Sequence, residues 1–350
     1  MKHSWRTFSQ IFLLFCIFFG ILKEDAASAQ ERHFTRPSAK AGPTTVSVTV
    51  WVIDIDSINS AQQNFVANVF LALRWKDDRL AYRNGSVRKY QLADIWNPRV
   101  QIANEIGLIR KTMPDEAEVS PDGTVTCRQR YIGPFSQPLN LHDFPFDTHV
   151  FQLHLVSPGF MDDQIRFVPD QKSITRGLKY AAGIAKNISL PDWEIIGVET
   201  KELPYTVLPG YDVAGYAFEF TAKRHLQYYI WKIILPLVLI VLMSWSVFLI
   251  DPTNAATKIG VATTAMLTLI AYRFVVESQV PRVPYLTRLD IFILADTLLI
   301  LSSLFLVTIT AYLVRIEKEV LARKIDRVWR IVFLVVFGLI LAKTLFLLHR

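Results

Sequence analysis

Cysteine is almost missing from this chain: 350 residues hold two, Cys16 and Cys127. Cys16 falls in an N-terminal stretch that reads as a removable leader, so the mature chain keeps Cys127 alone, as a small residue on a strand. An intramolecular disulfide is thereby excluded, whatever the redox compartment. Histidine is also scarce, at seven residues. Only His142, His149 and His154 lie close together in sequence. His154 sits in a strand pattern and the other two flank a turn, so no shared face offers a metal site or a base for a nucleophile. Nothing in the chain asks for a cofactor or points to an enzyme. The net charge of +7 is no signal for nucleic acid. Six basic residues (Arg315, Lys318, Arg323, Lys324, Arg327 and Arg330) crowd one short stretch between apolar runs, which membrane topology explains better.

What the chain has in abundance is apolar sequence. It is 51% hydrophobic with a mean hydropathy of +0.28, which fits a protein that is part soluble domain and part membrane. Residues 1–29 read as a secretory signal: Lys2 and Arg6, then the apolar stretch 11–22, then Ala27, Ser28 and Ala29. Cleavage leaves Gln30 as the first residue, and 30–44 form a polar, loose leader with Pro37, Gly42 and Pro43. From 45 to 224 the period is two: Val46, Val48, Val50 and Val52, then Phe65, Ala67, Val69, Leu71, Leu73 and Trp75, and later Phe151, Leu153, Leu155, Tyr216, Phe218 and Phe220. Turn signals such as Asn84-Gly85, Pro121-Asp122-Gly123 and Pro158-Gly159 separate them. This predicts an all-β antiparallel sandwich large enough for its own core.

After residue 224 the character changes. Four apolar spans are predicted at about 228–250, 255–276, 286–314 and 329–349, within a membrane domain of 225–350. Tyr228, Tyr229 and Trp231 open the first as an interfacial belt. Pro236 is tolerated there if neighbouring helices satisfy the freed backbone. The loop 315–328 is basic and therefore cytoplasmic, which places the sandwich outside the membrane, in agreement with the leader. Arg273 and Asp296 are intramembrane charges, and a pairing between them is expected.

The second span is wetter than a lipid-facing helix. Gly260, Thr264, Leu267, Ala271, Phe274 and Ser278 recur at intervals of four and three, so they share one stripe. Hydroxyls and small residues give way to bulky apolar levels at Leu267 and Phe274. Such a face suits the wall of a water-filled pore closed by dewetting. It equally fits a bundle interior whose hydroxyls bond across.

Layout and motifs together resemble the prokaryotic branch of the pentameric ligand-gated ion channels. The run Trp75-Lys76-Asp77-Asp78-Arg79-Leu80, Trp96-Asn97-Pro98, Leu141-His142-Asp143-Phe144-Pro145-Phe146-Asp147, Pro236, and Pro281-Arg282-Val283-Pro284-Tyr285 carry the resemblance, which spans about 45–349. Gln137 and Phe151 stand where the eukaryotic branch has its loop cysteines.

The resemblance implies a homopentamer: four further copies ring an axis in the lipid bilayer, permeant small ions cross between them, and a small-molecule agonist opens the pore. Leu267 is then the hydrophobic gate and Phe274 a second constriction. Aligned with the family's inner-mouth positions are Ala256 and Lys258, with Asp251 and Glu277 near the two mouths. The basic start at Lys258 leans toward anions. The agonist pocket lies between neighbouring sandwiches, with Tyr205, Tyr211 and Tyr216 from one loop, Phe160 from a second, Asn104 and Glu105 from a third, and Arg74 from the partner face. Aromatic faces suit an amine. Asp147 and Arg224 clamp the domain boundary, and the turn at Pro281 and Pro284 receives the push from Ile58, Phe144 and Pro145. The positions used for proton sensing in acid-gated relatives hold Leu269, Asn59, Ser60 and Gln63. A membrane-anchored oligomeric sensor that does not conduct is the alternative.

Overall fold

The computed structural model describes residues 34–37, 42–83, 85–171, 182–277 and 279–345. The expected signal at 1–29 with Cys16, most of the loose leader, Asn84, Ser278 and the last residues of the fourth expected span lie outside the described residues. Thirteen strands precede the helices: Thr44–Asn59 (β1), Asn64–Lys76 (β2), Arg88–Gln91 (β3), Gln101–Ile102 (β4), Arg110–Lys111 (β5), Glu116–Val119 (β6), Thr124–Ser136 (β7), Thr148–Met161 (β8), Ile165–Pro169 (β9), Ala182–Ile184 (β10), Trp193–Glu202 (β11), Tyr205–Leu208 (β12) and Tyr211–Arg224 (β13).

They form two sheets. One runs β10-β1-β2-β7-β6-β3, with β9 also on β1 and β5 on β7. The other runs β11-β13-β8-β4, with β12 on β13. Alternation in sequence becomes alternation in space, because a strand turns successive side chains to opposite faces. Phe65, Ala67, Val69, Leu71, Leu73 and Trp75 of β2 are all buried. The sheets meet at Phe65, whose ring lies 5.4 Å from Phe135, 5.5 Å from Phe151 and 5.6 Å from Phe220. Two pairings depart from an antiparallel sandwich, since β9 and β10 both run parallel to β1. Cys127 is buried on β7, and burial pushes its thiol up to about 11.

Three described helices have the length and apolarity to cross a membrane: Gln227–Leu249 (α1), Ala255–Glu277 (α2) and Arg288–Arg315 (α3). In α1 a π-helical turn, Ile230–Ile234, precedes Pro236. Pro236 cannot donate to the carbonyl of Lys232 one turn back. Tyr272 of α2 supplies the donor instead, its hydroxyl 2.6 Å from that carbonyl. Thr287 and Asp290 cap α3 reciprocally. Halfway along, Ser303 of α3 meets Ser244 of α1 with their hydroxyls 2.6 Å apart.

The fourth helix, Glu319–Leu345 (α4), corrects the expected loop at 315–328. Ten residues expected as loop are helical, because Ala322 and Asp326 face inward and Glu319 pairs with Arg323 at 3.3 Å one turn later. A second correction concerns the intramembrane charges. Arg273 bonds to Glu277 on its own helix, 3.1 Å away. Asp296 is fully buried and neither of its carboxylate oxygens has a hydrogen-bond partner.

Candidate functional site

The helix α2 has two faces of opposite character. Lys258, Ala262, Ala265, Leu269 and Val276 are buried against the other helices. Ala256, Gly260, Thr264, Leu267, Ala271 and Phe274 lie on the exposed side, Leu267 at 61% and Phe274 at 70%. The expected stripe, apart from Ser278, thus points away from the chain's own bundle. The Thr264 hydroxyl donates to the carbonyl of Gly260 at 2.8 Å, and Thr268 does the same to Thr264. Their protons are engaged on the helix, so the oxygen lone pairs are what this face offers outward.

Lys258 does not belong to that face. It is 1% exposed, and its ammonium lies 2.5 Å from Asp326 of α4. Enclosed and neutralised within the chain, it drops out of the candidates for contact with a permeating ion. Asp251 is exposed at the α1–α2 turn, 3.7 Å from Arg323. Hydrogen bonds from Thr253 hold its carboxyl below the usual range. Glu277 is exposed at the other end of α2 and shares Arg273.

At the boundary between sandwich and helices, Arg224 ends β13 and Asp147 precedes β8. They pair bidentately while both are buried, at 2.8 and 2.9 Å. Such a fork is among the stronger polar contacts. Arg224 also donates to Ser60 of the β1–β2 turn at 3.0 Å, and lies 4.1 Å above the ring of Trp193. His149 meets the second Asp147 oxygen at 2.7 Å. Burial pushes the Asp147 carboxyl up, but Arg224 and His149 outweigh it and hold it at about 2. His149 was legible in the sequence: two residues on from Asp147 into an extended segment, it returns to the same side.

The segment carrying Phe144, Pro145 and Asp147 also reaches the α2–α3 connection. Phe144 is buried with its ring 5.1 Å from Tyr229, and its carbonyl accepts from the backbone of Leu289 at 3.3 Å. His142 stacks on Tyr285 at 4.1 Å, and Asp143 pairs with Arg288 at 3.0 Å. Pro281, Pro284, Glu277 and Phe274 line one open pocket beside Tyr285. A chain of contacts therefore runs from the sandwich to the C-terminal end of α2. No described contact ties Ile58 to this turn. Ser60 of the same β1–β2 turn reaches Arg224 instead.

The expected agonist loops are only partly assembled in one chain. Tyr205 and Tyr211 are exposed, on β12 and β13. Tyr205 lies 5.2 Å from His154. Phe160 packs edge-on against Trp96 at 5.6 Å. Tyr216 is corrected: it is buried among the inner-face residues of β13, and burial pushes its phenol up. Asn104 is a brace, donating to the carbonyls of Ser136 (2.9 Å) and Gln152 (2.7 Å) and accepting from His154 N–H at 3.2 Å. Those bonds take both of its amide protons and one of the two lone pairs on its oxygen. Glu105 is exposed. Arg74 lies in the other sheet, held by Asp170 at 2.8 Å.

A sandwich joined through a buried Asp–Arg fork to apolar helices is the layout of ligand-gated channels, and residues 28–225 match the family model described as the neurotransmitter-gated ion-channel ligand binding domain. The chain belongs to this family, the pentameric ligand-gated ion channels, whose members are not enzymes. It is also similar to the proton-gated ion channel of Gloeobacter violaceus, 29% identical over 309 residues, covering 84% of this chain and 80% of that protein.

Proposed function

We propose that five copies of this chain form a ligand-gated ion channel in the bacterial inner membrane. All four helices span, the sandwich is periplasmic and the α3–α4 turn cytoplasmic. The observation that supports it most is the two-faced α2. A helix with a fully packed side and an outward side of hydroxyls, Leu267 and Phe274 needs a further surface opposite it, and a ring of its own copies provides one. Leu267 is the main gate, Phe274 the outer constriction, and Gly260 and Thr264 line the inner half.

Agonist binds between sandwiches, under Tyr205 and Tyr211, with Phe160 and Glu105 beside it and Arg74 from the neighbour. An amine suits two exposed tyrosine faces and a carboxylate. The relative is proton-gated, whereas here the corresponding positions are Leu269, which is buried, and Asn59, Ser60 and Gln63. A small molecule is therefore the proposed agonist.

The basic-start pattern favours anions, but Lys258 is sequestered by Asp326. Outward lone pairs at Thr264 and Thr268, with Asp251 and Glu277 near the mouths, support cation passage instead. Voltage clamp of the full chain in bilayers or oocytes tests the reading, with amines, amino acids and pH steps as stimuli. Leu267→Ala should leak or open more readily than wild type. If neither conducts despite surface expression, the channel reading fails.

A further inference from the structure

β11 ends at Glu202 and β12 begins at Tyr205, so Leu203 and Pro204 form a seam between two strands that both pair with β13. Beyond the seam, Tyr205, Thr206, Val207 and Leu208 are all exposed, and β13 is the strand that β12 pairs with. A strand with one neighbour and no buried face has little to hold it down. Leu203 is where it is held. Its N–H donates to the carbonyl of Gly215 at 3.1 Å, and its own carbonyl accepts from His154 Nε2 at 2.9 Å. A carbonyl only accepts, so this bond assigns the His154 proton to Nε2.

His154 is itself fixed from the other side. It lies buried on β8, its N–H donating to the Asn104 side-chain oxygen at 3.2 Å and its carbonyl accepting from Ala103 at 2.7 Å. Glu105 is the next residue along that segment. The imidazole also meets the Tyr205 ring edge-on, at 5.2 Å and 83°, so one side chain touches both the seam and the first exposed tyrosine beyond it. The sheet order is β11-β13-β8, so the ring must cross β13 to reach Leu203. Gly215 lets it cross. β13 shifts register against β8 between Val213 and Gly215, and a β-carbon built at Gly215 would collide with the Leu203 carbonyl and stand 3.0 Å from His154 Nε2.

We propose that His154 is a positioning residue for the agonist hairpin. It is a latch that holds β12, and with it Tyr205, in fixed relation to the segment carrying Asn104 and Glu105. The latch itself is a property of the sandwich, while its effect on agonist rests on the reading that an amine binds under Tyr205 and Tyr211. One hydrogen bond of this kind is worth about a fivefold change in an opening equilibrium, enough to bias the hairpin without locking it. An amine between Tyr205 and Glu105 then finds both sides already set, and loses less binding free energy to ordering them.

The test sets amide hydrogen exchange at 203–208 in the detergent-solubilised full chain beside the amine response in voltage clamp. His154→Leu removes the donor and should speed exchange there about fivefold, while exchange in β2 and β7 stays as in wild type. His154→Gln, whose side-chain amide can donate to the same carbonyl, should restore the wild-type rate. Gly215→Ala keeps the histidine but displaces the carbonyl, so it should open the seam as His154→Leu does. With benzylamine as the probe, His154→Leu should raise the half-activating concentration by up to about fivefold. It should add little where Tyr205→Ala is already present, because the two residues act as one unit. Unchanged exchange at 203–208 in His154→Leu, or no rescue by glutamine, overturns the latch. Faster exchange with an unchanged benzylamine response overturns its role in agonist binding. A wild-type channel that benzylamine fails to activate instead overturns the amine reading, and the exchange comparison decides the latch without it.

Discussion

Lys258, in the first turn of α2, and Asp326, near the start of α4, form an ion pair 2.5 Å long that is closed to solvent on both sides. It fastens the foot of the helix with the hydroxyl stripe to the foot of α4. Removing one partner leaves the other buried and uncompensated. Lys258→Met should therefore destabilise the protein by about 3–5 kcal/mol, whereas Lys258→Met with Asp326→Leu should recover most of the loss. Thermal unfolding of the detergent-purified protein checks this, and equal losses in the single and double variants would deny the coupling.

The Asp147–Arg224 fork predicts a pH dependence of definite sign. The folded Asp147 carboxyl sits at about 2, below its ordinary 3.8, so it binds its proton more weakly than in the unfolded chain. Its stabilisation is complete above about pH 4 and is lost as the pH falls through that window toward about 2, a contribution of about 2 kcal/mol. Asp147→Asn should be less stable at pH 7, and its loss relative to wild type should shrink toward pH 2. Urea or thermal midpoints across pH 2–7 give the comparison, and a constant difference would refute it.

The agonist loops make separable predictions for three tyrosines. Tyr211→Ala and Tyr205→Ala should each raise the concentration of an amine agonist needed for half-activation by about fivefold, the size of an exposed cation–π contact. Folding should be little changed. Tyr216→Ala should act through stability, costing about 3–5 kcal/mol as a large-to-small change in a core. Dose–response curves alongside surface expression separate the two. An affinity loss at Tyr216 with normal expression would return that ring to the pocket.

Ion selectivity gives the sharpest disagreement between the two readings of α2. With Lys258 withheld, the reversal potential of the wild-type current in asymmetric salt should lie on the cation side. Asp251→Asn should move it toward zero. A reversal on the anion side would restore the basic-start reading.

Much of this was legible in sequence where periodicity carries the information. The alternation through β2 and β13 gave the inward faces, and the four-and-three spacing through Gly260, Thr264 and Leu267 gave the outward side of α2. Period alone does not say which residues on an inward face are core and which line a pocket, and Tyr216 is an example. Nor does it rank partners. Arg273 had two carboxylates within reach in principle, and the one a single turn away needs no crossing between helices. Lys258 and Asp326 are 68 residues apart, on helices whose contact no local pattern announces.

Gly260 has a further consequence. A β-carbon built there would meet nothing within 4 Å in the chain itself. An alanine there meets no clash within the chain, so in the proposed pentamer Gly260→Ala, Val and Leu would form a graded ruler for the gap separating neighbouring copies.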